Sequence, residues 1–143
     1  MGYKSWFETH AHKHEALVAK LKTQGIAGEA LVAYFVFENM VKCEPDFCPL
    51  YARGKKCHDR AYLNCFLCAC PHFRFKDEGL HVRENGVVVK SVCAANARFA
   101  KVFCHEGVEH LDCSACVVPH NKAFVRKHLG KTWKEAMQEC EVK

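Results

Sequence analysis

The hydrophobic pattern divides the chain into three stretches. From Ser5 to Gln24, Phe7, His10, His14, Leu17 and Leu21 recur at helical spacing, which predicts an amphipathic helix. Ser5 and Glu8 stand at capping-box separation, and Gly25 marks a C-terminal stop. His10 and His14, four apart, share a face that can reach one metal ion; the plainer reading turns His10, His12 and His14 partly to water. Between Gly25 and Met40 the run Ala30–Phe37 is apolar on every side and therefore buried. Periodicity does not separate helix from strand there, but continuation through Val41 favours a second helix. The two helices are expected to pack as an N-terminal helical hairpin over residues 1–41.

From Cys43 the pattern loses any continuous face. Cys43–Tyr51 holds two prolines and reads as irregular loop, followed by Gly54-Lys55-Lys56-Cys57-His58. Leu80–Arg83 alternates, Asn85-Gly86 is a hairpin turn, and Val87–Val89 is a second strand, giving the expected main sheet element. Ser91–Phe103 reads as a short helix or an irregular insert. Asn121–Leu129 is a predicted helix ended by Gly130, and Thr132 with Glu135 opens another. On the last helix Trp133, Ala136, Met137 and Cys140 share a stripe, which makes Cys140 a core thiol. The expected fold is a small α+β domain spanning residues 1–143. Its metal-stabilised, Cys-rich irregular core with a short β-hairpin (42–120) lies between the N-terminal helical hairpin and C-terminal helices (121–143).

Composition sharpens the chemistry. The chain has 143 residues, half of them apolar, so it can build a core and disorder is excluded. Its eleven cysteines suit either a disulfide scaffold or a metalloprotein. The first residues show no basic region followed by an apolar segment, and the longest apolar run is far short of a membrane span. A cytoplasmic, reducing location without membrane association is the expectation, and it favours metal over disulfides. The formal charge is +5. Arg53, Lys55, Lys56, Arg60, Arg74 and Lys76 can offset thiolate charge but read chiefly as solvated surface. Lys122, Arg126, Lys127, Lys131 and Lys134 give the C-terminal region a basic face compatible with a protein or nucleic-acid partner.

The densest chemistry is Asn64-Cys65-Phe66-Leu67-Cys68-Ala69-Cys70-Pro71-His72, with three thiols in six residues. A second knuckle, Asp112-Cys113-Ser114-Ala115-Cys116, repeats the C-x-x-C spacing and leads to Pro119-His120. Such a turn lets both sulfurs enter one tetrahedral site, so Cys65, Cys68, Cys113 and Cys116 can supply a complete zinc set. Cys70 can point to a second centre, with three ligands from Cys43, Cys48, Cys57, Cys93 and Cys104. His58, His72, His105 and His120 are candidate substitutes, read first as supporting or surface residues. The Cys70-Pro71 step also occurs at the end of iron-sulfur runs, and a 4Fe-4S cluster stays open as the alternative to zinc.

The blocks NCFLCACPHF, from Asn64 to Phe73, and DCSACVVPH, from Asp112 to His120, resemble the two signatures of the cysteine-rich small domain family. The segment from Cys43 to Cys48 is similar to that family's leading block. The resemblance covers about residues 42–120 and implies metal binding at Cys65, Cys68, Cys70, Cys113 and Cys116, and also at Cys43, Cys48, Cys57 and Cys93. The chain departs from the family pattern in its long Val87–His110 segment and its helical additions at both ends.

The family carries no defined reaction. The expected role is a non-catalytic structural or interaction module that holds zinc. An iron-sulfur protein with a redox or metal-dependent enzymatic role is the alternative, and a thiol-disulfide oxidoreductase is a third reading. Glycine-rich phosphate loops, Gly-x-Ser-x-Gly elbows and zinc-protease helix motifs are absent from the sequence.

Overall fold

The computed structural model describes residues 2–137. Helix α1 (Tyr3–Thr23) buries Phe7, His10, Ala11, His14, Leu17 and Leu21, the stripe that the pattern predicts. Its end matches the Gly25 signal: Gly25 N–H donates to Lys22 O and Ile26 N–H to Leu21 O, with Gly25 at φ +76°. The start differs from the Ser5–Glu8 capping box. Gly2 is the N-cap and has no capping side chain; Asp77, distant in sequence, accepts from Tyr3 N–H at 2.7 Å and Lys4 N–H at 3.2 Å. A carboxylate there satisfies two orphan donors and the positive end of the helix dipole.

His10 and His14 are buried rather than turned to water; His12 is exposed. The helix faces aromatic neighbours on that side. His10 stacks on Trp6 and meets Phe47 and Trp133 edge-on, while His14 stacks on Phe35 and donates from Nε2 to Phe66 O at 3.0 Å.

The expected single second helix is two: α2 (Glu29–Tyr34) and α3 (Phe37–Cys43). The break comes from pairing with the first Cys knuckle. Val36 adopts extended backbone and bridges Asn64, while Phe37 N–H donates to Leu63 O and Cys65 N–H to Phe35 O. Those bonds replace helical ones at the cost of helix continuity.

Beyond a 3₁₀ turn at Pro49–Arg53, the Cys-rich region holds two small antiparallel or mixed sheets. Strand β1 (Phe73–Phe75) pairs with β4 (Ser91–Cys93), setting Phe73 opposite Cys93. The second sheet has the order β2-β3-β6-β5, from β2 (His81–Val82), β3 (Val88–Val89), β5 (Lys101–His105) and β6 (Val108–Asp112). The β2–β3 hairpin matches the Asn85-Gly86 reading, but β5–β6 is the longer one. Ser91–Phe103, read as helix or irregular insert, instead supplies β4 and the start of β5. Glu106 and Gly107, both at positive φ, make the β5–β6 turn.

Helix α4 (Lys122–Lys127) is capped by Asn121, which accepts from Ala123 N–H. Helix α5 (Trp133–Ala136) carries the predicted Thr132–Glu135 capping box in full. Trp133 and Met137 are wholly buried, whereas Cys140 lies outside the described residues. Buried side chains from all three sequence stretches form one cluster around Phe35, Phe66, Phe75 and Trp133. The structure therefore has helices and sheets in a small α+β arrangement. No helix among the described residues is long and apolar enough to cross a membrane.

Candidate metal centre

Asn64 ties the first knuckle into the fold. Wholly buried, it donates from Nδ2 to Val32 O at 2.9 Å and accepts at Oδ1 from Phe66 N–H at 3.0 Å. Its backbone exchanges bonds with His120 at the end of the second knuckle: Asn64 N–H donates to His120 O, and His120 Nδ1 donates to Asn64 O at 2.8 Å. Trp133 Nε1 donates to Cys68 O at 3.0 Å, so the C-terminal helix also braces this turn.

No disulfide joins any two of the ten described cysteines. Eight of them segregate into two neighbourhoods. Burial, and then the nearby thiols of Cys65, Cys57 and Cys48, pushes the Cys68 thiol far above its ordinary range. Cys65 is pushed up to about 12, first by burial and also by Cys57 and Cys48. Cys57 is exposed as a residue, but partial covering of its sulfur and then Cys48 raise it. This first group is Cys48, Cys57, Cys65 and Cys68.

In the second neighbourhood Cys70 is raised to about 11 by burial, with further contributions from Cys93 and Cys116. Cys113 is raised to about 12 by burial and then by Cys70, Cys116 and Cys93. This second group is Cys70, Cys93, Cys113 and Cys116. Strand pairing explains it: the β1–β4 register brings Cys93 beside the Cys70 turn, with Ala94 N–H donating to His72 O at 2.8 Å. Leu111 N–H donates to Ser91 Oγ at 2.7 Å, which holds the strand leading into Cys113 against β4.

The set formed by the two C-x-x-C pairs alone is thus divided. Cys65 and Cys68 sit with Cys48 and Cys57, and Cys113 and Cys116 sit with Cys70 and Cys93. Cys68 and Cys70, two residues apart, neighbour different groups of thiols, and the backbone between them is left-handed at Ala69 and Cys70, φ +90° and +68°. Left-handed backbone in two consecutive non-glycine residues is costly and turns the chain sharply. Cys43 is exposed at the end of α3 beside Tyr34, and Cys104 is exposed on β5.

Burial and the neighbouring thiols oppose ionisation of Cys57, Cys65, Cys68, Cys70 and Cys113, and a bound cation reverses that balance by favouring the thiolate. One further group fits this chemistry. The Tyr51 hydroxyl is buried beside the Cys65 thiol, a weak acceptor for its hydrogen. A metal-bound thiolate at Cys65 would accept its hydrogen.

Among the described residues, the three ligand atoms that come within 4.8 Å of one another belong to Cys57, His58 and His120. His58 Nδ1 lies 3.0 Å and His120 Nε2 3.5 Å from Cys57 Sγ. His58 Nε2 donates to Cys113 O at 2.8 Å, which bridges the two knuckles. Burial holds His120 down to about 4, so its ring is neutral. The sulfurs of the two groups are spaced more widely than this trio. Closing a ZnS₄ tetrahedron, with sulfurs ~3.8 Å apart at a Zn–S distance of about 2.3 Å, requires them to draw in.

A largely apolar cavity of about 510 Å³ opens between the groups, lined by Cys57, Cys68, Cys70, Cys93, Cys113 and Cys116 among others. His72 also lines it, while His105 lies exposed on β5. Of the basic C-terminal face, Arg126 pairs with Glu29, Lys134 with Glu8, and Lys122 lies over the Tyr62 ring. Lys127 and Lys131 are exposed. The sequence points to every cysteine of both groups, and the partition, Tyr51 and the bracing role of Asn64 emerge only from the fold. The position of an asparagine immediately before a C-x-x-C is the signal the sequence offers for its role. No family model matches the chain, and neither a curated protein nor a solved structure matches it.

Proposed function

We propose that the chain is a metal-binding module in which two thiolate groups, Cys48/Cys57/Cys65/Cys68 and Cys70/Cys93/Cys113/Cys116, each hold zinc and stabilise the Cys-rich region. What supports this reading is that eight cysteines fall into two groups of neighbouring thiols, with left-handed backbone at Ala69 and Cys70 between them. Metal ligation supplies what short strands and irregular loops lack in core. The raised thiols run opposite to the lowered thiol a thiol-disulfide oxidoreductase needs, which favours ligation over nucleophilic chemistry. The resemblance to the cysteine-rich small domain family points the same way. Lys127 and Lys131 are the exposed remainder of the basic face and the proposed contact for an acidic partner.

The test is elemental analysis and a visible spectrum of the full chain purified without air. Colourless protein with stoichiometric zinc, reduced in Cys65→Ser and in Cys113→Ser separately, supports two thiolate sites. Metal-free protein whose melting is indifferent to chelators refutes the reading. A second reading, a 4Fe-4S cluster in place of zinc, draws on all-sulfur donors spaced more widely than a zinc tetrahedron, around a cavity of about 510 Å³. Brown protein carrying iron and sulfide would select it.

A further inference from the structure

His58 and His120 face Cys57 in a way that thiolate ligation of the two foursomes does not require. Each imidazole has one nitrogen committed to a backbone carbonyl: His58 Nε2 to Cys113 O and His120 Nδ1 to Asn64 O, both at 2.8 Å. A carbonyl only accepts, so these nitrogens carry the ring hydrogens. The remaining nitrogens both point toward one sulfur, at 3.0 and 3.5 Å, and with the ring hydrogens on the carbonyl side each can offer it only a lone pair. A thiol has a single hydrogen and can satisfy only one of them. A cation satisfies both nitrogens and the sulfur together. Carbonyls that fix the tautomer of ligating histidines are the usual outer support of such a site.

We propose that Cys57, His58 and His120 form a three-ligand site for a divalent transition ion of the zinc class, with its open position toward the apolar cavity. Three protein ligands of mixed nitrogen and sulfur plus one open position is the arrangement of zinc sites that bind a small molecule, whereas closed structural sites use four. All three residues line the cavity, whose wall continues to Trp6, Phe73 and Leu111. Its volume of about 510 Å³ lies in the range of small-molecule pockets. The matching ligand has a head group that donates lone pairs to the metal and an apolar or aromatic body. This inference rests on the metal-binding reading in one respect, the availability of Cys57 as a thiolate. Its sulfur can bridge the new ion and the first foursome.

The experiment uses the full chain expressed in cobalt-supplemented medium, because Co²⁺ reports both thiolate ligation and an open coordination position in its absorption spectrum. Benzohydroxamate is the probe, and acetohydroxamate has the same head without the aromatic body. We expect benzohydroxamate to shift the cobalt d–d bands. It should do so at concentrations about tenfold below those acetohydroxamate needs, the equivalent of roughly 1.4 kcal/mol. His58→Ala should abolish the response while thiolate-to-cobalt bands persist, and X-ray absorption of the unsubstituted protein should show nitrogen as well as sulfur scatterers. Thiolate bands with no hydroxamate response, a response that survives His58→Ala, or sulfur-only scattering each overturn this site and leave the broader reading standing. Absence of thiolate-to-cobalt bands overturns both. His58 is half-buried, so its substitution is the milder one; if it nevertheless unfolds the chain, the scattering measurement on the unsubstituted protein decides.

Discussion

Acid should weaken this fold through His10 in a way that a single substitution isolates. The ring is buried against Trp6, Phe47 and Trp133, its Nε2 has no hydrogen-bond partner among the described residues, and burial, with Lys13 nearby, holds it down to about 4. An unfolded chain protonates this imidazole near pH 6.5, so between that value and about 4 the unfolded state binds more protons. Stability present above pH 6.5 is therefore lost as the pH falls. The loss from this residue is about 2 kcal/mol at pH 5 and approaches roughly 3 kcal/mol at pH 4. His10→Leu removes that dependence. Urea unfolding followed by tryptophan fluorescence at pH 7, 6 and 5 measures the gap between the two proteins. With a urea slope of about 1–3 kcal/mol/M, the wild-type midpoint should fall relative to the variant by about 1 M from pH 7 to pH 5. The cysteine thiols are common to both proteins, and His14, held down to about 3 chiefly by burial and in part by His10, stays neutral across pH 5–7, so neither moves the difference. A gap that stays constant over this range refutes the argument, whatever the absolute stabilities.

Four other changes test the architecture. Asp77→Ala removes the two bonds that start α1 and should cost about 1 kcal/mol, read as a melting temperature lower by roughly 3 °C; unchanged melting would show the cap to be idle. Ala69→Gly relieves left-handed strain at φ +90° and should raise stability by about 1 kcal/mol in calorimetry, whereas a drop would contradict the strain. Asn64→Ala leaves buried backbone partners at Val32 and Phe66 unmet and should cost roughly 2–4 kcal/mol by urea unfolding; a loss below the cost of one hydrogen bond would refute its bracing role. The double variant Cys43→Ser/Cys104→Ser should keep full metal content by elemental analysis, and a deficit would place one of these exposed thiols among the ligands.

The parts of the fold that the sequence revealed are those set by local chemistry. The α1 stripe, the Gly25 stop, the Thr132–Glu135 box and the Asn85-Gly86 turn each depend on residues within a few positions of one another. Readings failed where a distant partner decided the conformation. The run Ala30–Phe37 has helical length and no proline or glycine to break it, yet Val36 leaves the helix because the Leu63–Cys65 backbone offers it pairing. Ser5 and Glu8 have the right separation for a cap, but Asp77 reaches the helix end first and moves it to Gly2. His10 and His14 look like solvent-facing polar residues until Trp133, far along the chain, closes over them.

The cysteines illustrate the same limit at the site itself. Spacing in a sequence says which sulfurs can share an ion through one tight turn, and by that rule the two C-x-x-C pairs belong together. It is silent on where the chain carries each pair. Register does that here: Phe73 opposite Cys93 joins a lone cysteine to Cys70, and the Cys113 knuckle follows because β6 lies against Ser91. Cys48 and Cys57 have no C-x-x-C partner in sequence, yet they reach Cys65 and Cys68 once the chain has turned through Pro49–Arg53 and Gly54. The left-handed Ala69-Cys70 backbone is then the point where the two foursomes separate along the chain. The physical content of the C-A-C motif is this divergence: two thiols separated by one residue, with left-handed backbone at Ala69 and Cys70, lie among different neighbouring thiols.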